Sequence, residues 1–197
     1  MKKLLIGTTN PSKYATMVRQ VQHLNLTPVS PTELGISIDA AEDARTAEGN
    51  ALEKARAWHQ ATGLSVLTED SGLVFFDLPP DHPDQPGVHV RRAAGHVMSD
   101  EEMFDWFTAL AHRHGGKLRA AWQDAWCLLK DDEHYVTFAD TLDELLPWSF
   151  WMMDHPVHTN IQPGWPLERI IIRSDTSSVA QKWGRLQAWL KENENLL

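Results

Sequence analysis

The chain has 197 residues, 42% of them hydrophobic and 23% charged, with a single cysteine, Cys127, which is a globular composition without a disulfide framework. Its 27 acidic against 18 basic residues leave a formal charge of -9, and this argues against duplex nucleic acid as a partner, because counterion release needs a basic face. No apolar run approaches a membrane span, and the run after Met1 is too short for a secretion signal, so a cytoplasmic protein with no membrane partner is expected.

Lys2 to Ile6 reads as a short buried strand, followed by the turn-rich loop Gly7-Thr8-Thr9-Asn10-Pro11-Ser12-Lys13. Pro11 and Ser12 are suited to open a helix, expected from about Ser12 to His23 with Tyr14, Met17, Val18 and Val21 on one face. A strand, a polar loop and a helix in that order present backbone N–H groups and a helix N-terminus to an anion. Thr27 to Ser37 is expected to be extended. Ala47 to Thr62 reads as a helix with Ala51, Ala55, Trp58 and Ala61 or Thr62 inward, stopped by Gly63. Ser65 to Leu67 reads as a strand ending at Thr68-Glu69-Asp70-Ser71-Gly72, and Leu73 to Phe76 as a further apolar segment. Leu78 to Gly87, with four prolines, is a loop. Ser99-Asp100-Glu101-Glu102 is a capping box before a helix carrying Met103, Phe104, Trp106, Phe107 and Leu110. Lys117 to Leu129 and His134 to Ala139 read as strands paired across Lys130–Glu133. Pro147 to Pro166 reads as irregular, Arg169 to Ile172 as a strand, and Ser177 to Asn193 as a closing helix. Helices and strands alternate around a β-rich middle, so the class is α/β.

Three acids stand out. Glu69 and Asp70 are adjacent, so on a strand they face opposite ways, and Glu42 sits in the acidic stretch before the second long helix. One acid of such a group can hold a divalent cation while another orients water, and Mg²⁺ takes one or two carboxylates together with phosphate oxygens. Taken alone, the pair reads as a solvated strand end.

The wider pattern changes that weighting. Gly7-Thr8-Thr9-Asn10-Pro11-Ser12-Lys13, Asn50-Ala51-Leu52-Glu53-Lys54-Ala55, Glu69-Asp70-Ser71-Gly72-Leu73, and Pro86-Gly87-Val88 with Arg92-Ala93-Ala94-Gly95 follow in that order. Together they resemble the Ham1-like family of nucleoside triphosphate pyrophosphatases, also called the inosine triphosphate pyrophosphatase family. The resemblance is dense from Met1 to about Gly95. It implies an elongated mixed-sheet α/β fold with two lobes flanking a central cleft, residues 1–197 forming one such domain. It also implies a homodimer and the Mg²⁺-dependent hydrolysis of non-standard purine triphosphates to monophosphate and pyrophosphate. On matching positions it assigns phosphate binding to Thr8, Asn10 and Lys13, metal binding to Glu42 and Glu69, and water activation at the metal to Asp70. Lys54, Ser71 and Arg92 fall at nucleotide-facing positions. Lys54 reads equally as a helix-surface lysine, and Arg91 leaves the register at Arg92 open.

The second half departs from the family. Where members carry an aromatic followed by an acid that reads the base, this chain has Pro163-Gly164-Trp165-Pro166-Leu167. Trp165 keeps a stacking face, Pro166 stands in place of the acid, and Glu168 lies close by. Where members carry Ser-His-Arg, this chain has Ala180-Gln181-Lys182, with Lys182 a point charge instead of a planar fork. The phosphate half is intact and the base-reading half is changed. A pyrophosphatase with altered base specificity is therefore expected. The alternatives are a non-catalytic nucleotide-binding or regulatory protein on the same fold, and a pyrophosphatase for another phosphoanhydride or a modified pyrimidine nucleotide. The segment Trp148 to Met153 is too apolar to expose as one patch, which favours lobe core or a dimer interface. Histidines 112, 114, 155 and 158 read as surface or loop residues, since no closed ligand set surrounds them.

Overall fold

A computed structural model describes residues 2–40, 42–159, 164–173 and 177–197, and of 177–181 the backbone alone. Its strands are Lys2–Ile6 (β1), Leu26–Val29 (β2), Ser65–Phe75 (β3), Lys117–Leu129 (β4), Tyr135–Ala139 (β5), Phe150–Met153 (β6) and Ile171–Arg173 (β7). Its α-helices are Pro11–Val21 (α1), Pro31–Leu34 (α2), Ala47–Thr62 (α3), Asp100–Arg113 (α4), Leu142–Leu145 (α5) and Ser177–Glu192 (α6). Among the described residues the seven strands form one mixed sheet in the order β2-β1-β3-β4-β6-β7, with β5 beside β4. By internal contacts the chain divides into two units. The first is Met1–Ser71, Asp124–Asp140 and Val179–Leu197, and the second is Gly72–Gln123 and Thr141–Ser178.

In the first unit β1 pairs in parallel with β2 and β3, and parallel neighbours need helical crossovers. That is why α1 and then α3 intervene. Leu4, Leu5 and Ile6 are fully buried, as in a strand covered on both faces. Leu4 and Ile6 pack with Met17 and Val21 of α1 and with Leu186 and Leu190 of α6. Leu5 points the other way, to Val66 and Trp58. Thr46 caps the start of α3 through Gly49 N, and Gly63 in the left-handed region (φ +66°) ends it. Ala61 is exposed, and the inner face is Ala47, Asn50, Ala51, Ala55 and Trp58. The C-terminal half of β4 pairs with β5 in antiparallel register from Ala125↔Ala139 to Leu129↔Tyr135.

In the second unit α4 packs Met103, Phe107 and Leu110 onto Leu73, Phe75, Leu118, Phe150 and Met152. The capping box forms as expected, with Ser99 N donating to Glu102 Oε2 at 2.7 Å and Glu102 N to Ser99 Oγ at 3.2 Å. The loop from Leu78 to Gly87 is held by Gln85, whose Nε2 donates to the carbonyls of Phe75 and Leu78 and whose Oε1 accepts from Phe75 N.

Four expectations are corrected. The strand does not stop at Thr68, because Ser65–Phe75 is continuous; Leu73 N finds a partner in Gly87 O at 2.8 Å, so the ladder survives the polar interruption. Glu69 and Asp70 therefore lie mid-strand. The irregular stretch after Pro147 contains β6, whose Phe150 and Met152 enter the core between β4 and β7. Thr27 to Ser37 is not wholly extended: Ser30 and Glu33 cap the single turn of α2, with Pro31 at its first position. Finally, Pro166–Ile170 is a 3-10 helix, so the strand foreseen at Arg169–Ile172 begins only at Ile171.

Candidate active site

The first unit assembles most of the residues singled out in the sequence. The chain leaves β1 at Gly7, whose N–H donates to Leu67 O at 2.9 Å. Asn10 then caps α1, its Oδ1 accepting from Ser12 N at 2.9 Å and Lys13 N at 3.3 Å. Thr8 Oγ1 accepts from Asn10 N at 3.2 Å. Thr8 and Asn10 thus shape the turn that presents the start of α1, a geometry that favours anions. Lys13, in the first turn, places Nζ 3.4 Å from Glu69 Oε2. Burial opposes its charge, but the carboxylates of Glu69, Asp124 and Asp70 outweigh burial and hold the ammonium above the ordinary lysine value.

Strand alternation distributes the acids of β3. Thr68 and Asp70 face α3: Thr68 Oγ1 donates to Ala51 O at 2.6 Å, and Asp70 Oδ2 accepts from Asn50 Nδ2 at 3.1 Å. Asp70 Oδ1 lies 2.6 Å from Lys54 Nζ. The same ammonium reaches Glu42 Oε1 at 3.1 Å and Glu69 O at 3.3 Å. Glu69 turns its side chain the other way, to Lys13 and to Ser71 Oγ, which donates to Oε1 at 2.7 Å. Of the three acids named from the sequence, the fold therefore brings Glu42 and Asp70 together on one cation and sets Glu69 apart. Among the described residues no group of three or more His, Cys, Asp or Glu side chains is arranged to hold a metal. Two hard carboxylates converging on one ammonium do fit a hard cation whose shell is completed by phosphate oxygens and water.

Lys182 of α6 pairs with Asp124 of β4, both side chains 12% exposed. Within this cluster, Asp124 was not singled out in the sequence, and Asn50 was read only as part of a motif, without a role. The signal was present: each is a polar residue at a core-facing position, Asn50 within the Ala47–Trp58 face and Asp124 within the apolar run of β4, and a buried polar group must have a partner.

The second unit holds the remaining candidates. Arg91 is committed to structure, donating to Met98 O at 2.9 Å and Asp100 Oδ1 at 2.8 Å. Arg92 is exposed and lines a hollow of about 280 Å³ with Asp84, His89 and Trp106. Trp165 is half-buried and precedes the 3-10 helix Pro166–Ile170. Glu168 is held by Arg173 through contacts of 2.6 and 2.7 Å, which engages the acid nearest the missing base reader. Pro163 and the side chains of Ala180 and Gln181 lie outside the described residues. Three of the four histidines pair with acids, His112 and His155 with Asp154 and His114 with Asp84, while His158 Nε2 lies 3.1 Å from Ile171 O.

The model of the Ham1 family matches residues 4–144. A dITP/XTP pyrophosphatase of Anaeromyxobacter dehalogenans (strain 2CP-C) is 41% identical over 90 residues, 45% of this chain and 37% of that protein. Its counterpart from Yersinia pseudotuberculosis serotype I (strain IP32953) is 36% identical over 102 residues, 52% of this chain and 49% of that protein. The chain thus matches about half the length of these curated relatives or less. The fold is that of the Staphylococcus aureus Ham1 protein, with a TM-score of 0.70 and 22% identity over 97% of this chain and 99% of that one. A HAM1 protein from Coxiella burnetii gives a TM-score of 0.68 at 21% identity, over 98% of this chain and 100% of that one.

Proposed function

The chain belongs to the Ham1 family, and on that premise we propose that it is a Mg²⁺-dependent pyrophosphatase that hydrolyses a nucleoside triphosphate to the monophosphate and pyrophosphate. The observation that carries this reading is the convergence of Glu42, Asp70 and Lys54 beside the Asn10-capped start of α1. Support comes also from the family model, whose match over residues 4–144 contains this cluster, and from the relatives named dITP/XTP pyrophosphatases.

Glu42 and Asp70 would hold Mg²⁺, which when bound supplies positive charge to phosphate oxygens. Lys54 and Lys13 exchange their carboxylate partners for phosphate oxygens, and the first N–H groups of α1 add fixed dipoles. Asp70 accepts the proton of the attacking water through a carboxylate oxygen. The water oxygen bonds to the α-phosphorus, the bond from that phosphorus to its bridging oxygen breaks, and pyrophosphate departs with the electron pair. Glu69, released by Lys13, keeps Ser71 in place through its hydrogen bond.

Base selection altered from inosine and xanthosine belongs to the same proposal. Pro166 replaces an acid, Glu168 is engaged by Arg173, and Lys182 is engaged by Asp124. Stacking on Trp165 then discriminates by only about 10- to 200-fold, against about 10⁴- to 10⁵-fold for a site that hydrogen-bonds the base edge. A homodimer acting in the cytoplasm completes the reading. The test is a panel of inosine, xanthosine, adenosine, guanosine, cytidine and uridine triphosphates with Mg²⁺, scoring pyrophosphate against phosphate release. Pyrophosphate from at least one member is expected. Binding without release from any would favour the non-catalytic alternative, and a thousandfold preference for inosine over adenosine and guanosine triphosphates would overturn the altered specificity.

A further inference from the structure

Asn50 lies on α3 one turn before Lys54 and is 2% exposed. The two ends of its carboxamide have different partners. Oδ1 accepts from Ala44 N at 3.0 Å, and Nδ2 donates to Asp70 Oδ2 at 3.1 Å. Ala44 stands just beyond Glu42, so one side chain ties the segment carrying Glu42 to the strand carrying Asp70. The tether is short because the segment is docked closely on the helix. At Gly49, a Cβ would lie 2.6 Å from Ala44 Cβ, an approach that only glycine allows. Lys54, four residues on and on the same helix face, spans the same two acids through its ammonium.

A carboxylate torsion is broad and two-fold, so Asp70 has no intrinsic means of keeping one oxygen toward α3 and the other toward Glu42. A donor on Oδ2 alone removes that degeneracy. A carboxamide carries its donor and its acceptor on separate atoms, so Asn50 serves Asp70 and Ala44 at the same time.

We propose that Asn50 is a positioning residue for the hydrolytic reaction: it fixes Asp70 through Oδ2, leaving Oδ1 toward the cation and water, and it anchors the Glu42 segment through Ala44 N–H. The proposal rests on the function read above. Two variants separate the ends of the tether. Asn50→Ala removes both, whereas Asn50→Asp keeps an acceptor for Ala44 N–H and sets a negative oxygen against Asp70. Thermal melts select conditions in which each is folded. The readouts are kcat and KM for the best nucleotide of the panel, and hydrogen exchange at the Ala44 amide.

For Asn50→Ala, kcat is expected to fall about 10- to 100-fold, as for outer-shell partners of catalytic ligands, with KM within about threefold and Ala44 exchange accelerated. Asn50→Asp is expected to lose as much kcat while the Ala44 amide stays protected. Restored kcat in Asn50→Asp would overturn the proposal, since a merely structural tether would survive there. Unchanged kcat or unchanged Ala44 exchange in Asn50→Ala would also overturn it. If the wild-type chain releases no pyrophosphate, the functional reading fails by itself, and the exchange contrast between the two variants still decides whether the tether exists.

Discussion

At the scale of single residues, Asp70 carries the sharpest consequence. Asp70→Asn keeps the shape and one acceptor between Asn50 and Lys54 but removes the base. Turnover is expected to fall by about 10²- to 10⁴-fold with circular dichroism unchanged; steady-state rates within a few-fold of wild type would remove Asp70 from the chemistry. Cys127 is inert by contrast. Burial, only partly offset by the charge of Arg56, pushes its thiol up to about 12, and the thiolate is the reactive form. A chromogenic disulfide reagent is expected to label it only in denaturant, at the rate of unfolding. Both acids of β3 were legible as a chemical pair, and alternation correctly sends them to different partners. The identity of those partners was not legible. Whether Glu69 meets Lys13 or Lys54 depends on which helix covers which face of the sheet, and no local pattern contains that choice.

At the scale of elements, β3 is held open to its neighbour by the absence of a side chain. A Cβ on Gly72 would stand 2.9 Å from Gly87 O, beside the Leu73↔Gly87 bridge. Gly72→Ala is therefore expected to cost about 1 to 3 kcal/mol through backbone displacement, read from the urea midpoint. The C-terminal turn of α4 is pinned by acids: Asp84 to His114 at 2.8 Å and Asp154 to His112 at 2.9 Å. The hydrogen bond from His114, aided by the charges of Arg113 and His82, holds the Asp84 carboxyl below its ordinary value, and His155 and His112 do the same for Asp154. A depressed folded value means that the stabilisation is present above the ordinary carboxylate value and is lost as pH falls through it. Wild type is thus expected to lose stability as pH falls below the ordinary carboxylate range. Asp84→Asn is expected to be weaker than wild type at neutral pH and nearly equal at the acid end, as followed by urea titration. Helix positions were largely legible because caps and apolar spacing are local: α3 falls at Ala47–Thr62 as expected. The strand β6 was not legible, because four residues between prolines and aromatics become a strand only when β4 and β7 offer their edges.

At the scale of the whole molecule, the homodimer implied by the family resemblance is expected to scatter light with twice the chain mass at micromolar concentration; a monomer mass would contradict it. The apolar segment Trp148 to Met153 no longer argues for that dimer, since Phe150 and Met152 are spent on the core of the second unit and Trp151 lies 4.4 Å beneath the Lys117 ammonium. By itself, the sequence determined the α/β class, the order of its main helices and strands, and the acids, lysines and capped loop of the first half, because strand runs, caps and charged motifs are encoded over a few neighbouring residues. Only the tertiary structure decided that Asn50 and Asp124 join the cluster, that Glu42 and Asp70 share one lysine while Glu69 takes another, and that Arg91 is held by Met98 and Asp100. Those choices are made by contacts between residues distant in the chain, whose partners exist only once the sheet has paired and the helices have covered its faces.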